Sequence, residues 1–112
     1  MTVVGTHLLY GAFNELGAIV VGGNASQFGG VSFSVAHPAT GEFNITTSGL
    51  GGVTSVAVVT QVNSNIGGDD VTLKVEAVAG GGFPSPSGFK IRCWNNGAAV
   101  DAVMSFHMIT TG

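Results

Sequence analysis

Within FKIRCWNNGAAVDAVMSFHMI, Phe89 to Ile109, the chain places its one cysteine, an aspartate and a histidine. These are the residue types of a thiol nucleophile, its orienter and its base. The spacing argues against that chemistry. If Gly88–Trp94 and Ala102–Ile109 are strands, alternation puts Phe89, Ile91 and Cys93 on one face of the first. It likewise puts Met104, Phe106 and Met108 on one face of the second. With both apolar sets turned to a core, Cys93 points in and His107 points out, and the two form no dyad. A cysteine among Phe, Ile and Trp behaves as a small hydrophobe rather than as a thiolate. Asp101, soon after the Asn95-Asn96-Gly97 turn, reads as an acceptor of backbone N–H groups that fixes the loop. The stretch reads as a hairpin, and no catalytic residue is assigned.

Other candidate chemistry is weaker. His7, His37 and His107 lack the short spacings of zinc ligands, so no metal site is expected within one chain. Copies of one histidine meeting on a symmetry axis would escape that argument. Asp69-Asp70 after Gly67-Gly68 has calcium-type oxygens, but a bare GGDD reads first as a solvated turn. The glycine pairs and the GGG at 80–82 stand in no phosphate-binding strand–loop–helix context, so no cofactor is expected. Glu15, Glu42 and Glu76 fall in separate segments, and nothing in the sequence brings two carboxylates together. No GxSxG elbow is present. An enzyme is not expected. The aromatic residues Tyr10, Phe83 and Trp94 would stack on sugars if exposed. Trp94, next to an inward Cys93, reads as outward or at an edge, against a ligand, a loop or a neighbouring subunit. Phe83, on the loop GGGFPSPSG, reads as a partner contact or as an anchor of its own loop.

The elements that must carry these residues are strands. Period-two alternation recurs, no segment holds a capped helical stripe, and 19 glycines with many Ser, Thr and Asn disfavour helix. Strands are expected at Leu8–Asn14 and Ala18–Val21, joined by the tight turn NELG, then at Gly30–His37 and Glu42–Thr47 around HPATG. The valine-rich Val53–Asn63 is apolar on both faces, which predicts a central strand covered on both sides. Val71–Ala79, Gly88–Trp94 and Ala102–Ile109 complete the set. The fold expected is all-β, an antiparallel β-sandwich or jelly roll of about seven to eight short strands. Residues 1–14 would form an N-terminal arm and first strand and residues 15–112 the sandwich module, a single domain overall.

A chain of 112 residues with 45% hydrophobic and 8% charged residues can bury a real core. Its charged share is about a third of the roughly 25% usual in globular domains. Part of its surface is therefore expected to be covered by copies of itself or by a partner. The only cations are Lys74, Lys90 and Arg92. That excludes the clustered positive charge on which nucleic acids and anionic membrane surfaces depend. The N-terminus lacks the charged start of a signal peptide, and LGAIVVGG is too short to span a bilayer, so synthesis in a cytoplasm without a leader is expected. The uncharged Met1, Thr2, Val3 and Val4 would either add as an edge strand to a neighbour or fray.

The order of landmarks GGVSFSVAHPATGEFNITTSG, VTSVAVVTQVN and GFKIRCWNNGAAVDAVMSFHMI resembles the β-sandwich modules of phage tail fibres and related virion proteins. The matching residues are Gly41, Phe43, Ile45, Gly88, Phe89, Ile91, Asp101, Met104 and Phe106, within a stretch of roughly residues 15 to 109. Fibre modules usually follow a long stalk, whereas no heptads or collagen-like tract precede the first strand here. In that respect the chain is similar to small trimeric capsid decoration or cement proteins of phages. The resemblance implies a non-enzymatic structural protein on the capsid surface of a virion, a homotrimer seated on the major capsid protein. The alternative it implies is a receptor-binding tip of a tail fibre or baseplate, in which Phe83 and Trp94 would meet glycans.

Overall fold

The computed structural model describes residues 6–21, 32–49, 54–61, 71–78 and 87–111. Among these the alternating segments form nine strands and no helix. They are β1 (Thr6–Phe13), β2 (Ile19–Val21), β3 (Ser32–Ala39), β4 (Glu42–Ser48), β5 (Thr54–Gln61), β6 (Thr72–Glu76), β7 (Gly88–Asn95), β8 (Ala98–Ala99) and β9 (Met104–Thr111). One sheet runs β2-β1-β9-β5 and the other β3-β4-β7-β6, with the short β8 paired to β7. Every pairing is antiparallel. The all-β sandwich is as expected. The N-terminal arm Met1–Val4, the GGDD turn and the loop with Phe83 lie outside the described residues.

Alternation explains the core. Leu9 and Phe13 of β1 and Met104, Phe106 and Met108 of β9 face Phe33, Phe43, Ile45, Phe89, Ile91 and Cys93 of the other sheet, all buried. Rings lock the two layers together. Phe106 meets Phe33 edge-on at 4.9 Å and Phe89 at 5.3 Å, and Phe13 lies 5.1 Å from Phe43. Such tilted pairs add about 0.5–1.5 kcal/mol each beyond the area they bury.

Local chemistry sets the turns. In NELG, Asn14 Oδ1 accepts the amides of Leu16 at 3.0 Å and Ala18 at 2.9 Å, closing the tight β1–β2 turn. In HPATG, β3 continues through His37 and Pro38 to Ala39, two residues further than alternation suggested. The register slips between Ala36 and Ala39, and the irregularity on this edge strand tolerates a proline without an N–H.

Three expectations are corrected. First, Gly88–Trp94 and Ala102–Ile109 do not pair as a hairpin. β7 belongs to one sheet and β9 to the other, the chain crossing between layers through residues 100–103. The inward faces were read properly, but they meet across the core rather than side by side. Second, the valine-rich β5 is not central. Among the described residues it pairs with β9 alone and ends the sheet. Third, β6 is shorter than Val71–Ala79, ending at Glu76. β1 pairs with β9 along its whole length.

Candidate functional site

Cys93 and His107 are separated as alternation demands. Cys93 is fully buried on β7, its Sγ 3.7 Å from Met104 Sδ, while His107 is exposed on the far side of the opposite sheet. Burial, and secondarily the charge of Asp101, pushes the Cys93 thiol up to about 12. A thiol so held is neither nucleophile nor metal ligand at neutral pH.

Asp101 does accept a backbone amide, but from the other end of the fold. Its Oδ1 takes the Gly41 N–H at 2.7 Å and lies 2.8 Å from His37 Nε2. The His37 ring is stacked on Phe43, with 4.5 Å between centroids and 8° between planes. Gly41 completes the knot, its carbonyl accepting the Cys93 amide at 2.8 Å. With φ near +74°, Gly41 sits where a Cβ would come within 2.7 Å of the Cys93 carbonyl oxygen. The His37–Asp101 pair thus ties the β3–β4 turn to the crossing between β8 and β9. Among the described residues the pair also meets the Phe43 ring face and the Gly41 amide, and it clamps the two segments together.

The pair was missed in sequence because its partners are 64 residues apart. A signal existed. His37 continues the inward period of Phe33 and Val35, so its ring was due on the core side and needed a polar partner there.

The outer face of the β3-β4-β7-β6 sheet gathers charge. Arg92 Nε lies 2.7 Å from Glu76 Oε1 and Nη2 lies 3.6 Å from Glu42 Oε1. The N–H is not aimed at the Glu76 oxygen, so this contact is ionic rather than a well-formed hydrogen bond. Lys90 reaches Glu42 at 3.4 Å and Lys74 reaches Glu76 at 3.5 Å. All three cations of the chain are engaged in this network. Glu42 and Glu76, which no sequence pattern brings together, flank one guanidinium, and each is held in ion pairs. Trp94 is half-buried on the same face, in register with Thr72 and Ala99.

The outer face of the β2-β1-β9-β5 sheet is the opposite. Its four strands contain no Asp, Glu, Lys or Arg. Val20 is 61% exposed, Tyr10 44% and Ile109 40%. Tyr10, His107 and Val58 stand in one register row, and Leu8, Ile109 and Val56 in the next. Directly opposed residues share a face. Among the described side chains, Tyr10, His107 and Ile109 are exposed on the side away from the core, with Val20 exposed on the edge strand.

Among the described residues no three His, Cys, Asp or Glu side chains gather to hold a metal. His7 pairs with Thr110 and His107 with Tyr10 within one sheet, and His37 lies in the other. Compared with protein-family models, with curated proteins and with solved structures, the chain matches none.

Proposed function

We propose that this chain is a non-enzymatic structural protein of a phage virion, decorating or cementing the capsid as a homotrimer seated on the major capsid protein. The observation that carries the reading is the segregation of the two outer faces. The strands of one carry no Asp, Glu, Lys or Arg and leave Val20, Tyr10 and Ile109 exposed, while the other holds a network of ion pairs. An enzyme has little use for an uncovered apolar sheet, whereas a protein that binds copies and a lattice buries such area as its mechanism. Reinforcement would come from many modest contacts repeated over the particle. The landmark residues shared with virion modules support the fold side of the resemblance. Phe43, Ile45, Phe89, Ile91, Met104 and Phe106 are core, and Asp101 and Gly41 bind each other.

The second reading, a receptor-binding tip, draws on Trp94 beside Arg92 on the charged face, an arrangement that suits a glycan. Quantitative mass spectrometry of purified virions from the encoding phage separates the two. Hundreds of copies per particle support decoration or cement, a few support a tip, and none overturns both.

A further inference from the structure

We infer that the outer face of the β2-β1-β9-β5 sheet is buried against a second copy of this chain. The inference rests on the self-association part of the proposed function but gives it a two-fold contact, because a face that meets its own copy is isologous. It stands apart from the trimer and from the capsid part.

The area is sufficient. Three strands of eight residues and one of three make up the sheet. At about 3.4 Å per residue and about 4.8 Å between strands they give a flat footprint of roughly 440 Å². Two such faces remove roughly 900 Å² before side-chain relief is counted, which brings the contact to the roughly 1,000 Å² expected of a specific interface.

The chemistry selects a copy as the occupant. The chain carries a net charge of −3, yet none of the acids or bases that produce it stands on these four strands. Glu42, Lys74, Glu76, Lys90 and Arg92 are on the other sheet, Glu15 is in the β1–β2 turn, Asp101 is in the clamp, and Asp69 and Asp70 lie outside the described residues. A second copy presenting the same face brings no charge to be stripped of water, whereas a partner with charged residues would find nothing to pair them. Tyr10 and His107, neighbours in one register row, supply the polar-tipped groups that such a contact accommodates.

The test uses the purified full chain at micromolar concentration, read by sedimentation velocity and native mass spectrometry. The wild type is expected at twice the protomer mass or an even multiple of it, and a trimer overturns the inference. Ile109→Glu and Val20→Lys each place a charge on the face and should weaken assembly on the order of 100-fold, leaving monomers with unchanged circular dichroism. Thr46→Glu, exposed on the other sheet, should leave the mass unchanged. If one face variant fails to fold, the other decides. A wild type that stays monomeric up to about 100 µM overturns the inference. So does an assembly that survives a folded face variant, or one that Thr46→Glu breaks equally well. A monomer in isolation that is nonetheless present in hundreds of copies on virions would sink this interface and leave the capsid reading standing.

Discussion

Asp101 Oδ1 accepts the amide of Gly41 at 2.7 Å across a separation of 60 residues. The same oxygen holds His37 Nε2 at 2.8 Å, so one carboxylate closes the β3–β4 turn against the crossing that carries the chain from one sheet to the other. Hydrogen bonds to a charged acceptor contribute about 1.5–3 kcal/mol, and removing the acceptor leaves a partly buried donor without a partner. Asp101→Ala should therefore lower the unfolding free energy by about 2–3 kcal/mol in urea titrations. Asp101→Asn, which retains one acceptor oxygen, should lose less. Equal losses from the two variants would mean that charge, rather than the hydrogen-bond acceptor, supplies the stabilisation.

Gly41 and Gly97 make a controlled pair, since both have positive φ, +74° and +80°. An added Cβ at Gly97 meets nothing within 4 Å, whereas at Gly41 it meets the Cys93 carbonyl oxygen at 2.7 Å. Gly97→Ala should cost about 1 kcal/mol, the price of a left-handed backbone alone. Gly41→Ala adds a clash with main chain that cannot step aside, and should cost about 3 kcal/mol. Thermal and urea unfolding of the two variants side by side gives the comparison.

What alternation could and could not reveal follows from what it measures. It tells which side of its own strand a residue faces, and so Phe89, Ile91, Cys93, Met104, Phe106 and Met108 were legible as core. It does not name the neighbouring strand, and for that reason β7 and β9 read as a hairpin although they belong to opposite layers. The valines of β5 misled for a related reason. Apolar character on both faces does not place a strand within its sheet, and β5 pairs with β9 alone among the described residues. Glu76 shows the converse. It lies on the polar side of β6, as read, yet is only 4% exposed, because Arg92 and Lys74 close around it. Pairing between segments is a tertiary property, and no local pattern encodes it.

That closure sets a further expectation. Arg92 is the cation joining Glu42 to Glu76, and its removal takes from the buried Glu76 the guanidinium 2.7 Å away, while Lys74 at 3.5 Å has a side chain 59% exposed. Breaking a buried pair by deleting one partner is costly, although the 40% exposure of Arg92 calls for a discount. Arg92→Met should destabilise by about 2 kcal/mol. Lys74→Met, which removes a mostly exposed ammonium 3.5 Å from Glu76, should change stability by no more than about 0.5 kcal/mol. Guanidinium chloride would screen the ion pairs under study, so the comparison belongs in urea.

Cys93 is fully buried and fills space beside Met104. Cys93→Ala should cost about 1–2 kcal/mol through lost packing and leave assembly intact. In the folded protein the thiol is raised from 9.0 to about 12, burial being the larger cause and Asp101 the smaller. The unfolded chain releases this proton at lower pH than the folded one does. Between about pH 9 and 12 the folded state therefore binds more protons, and stability falls as pH rises. The stabilisation tied to the protonated thiol is fully present below pH 9 and drains away above it. Wild type should consequently lose stability faster than Cys93→Ala as urea titrations move up through that window, and the gap between the two proteins should narrow. A thiol-specific reagent at pH 8 should label the unfolded chain and spare the native one. Prompt labelling of native protein, or parallel pH profiles for the two proteins, would show that Cys93 is open to solvent and that the core does not close as described.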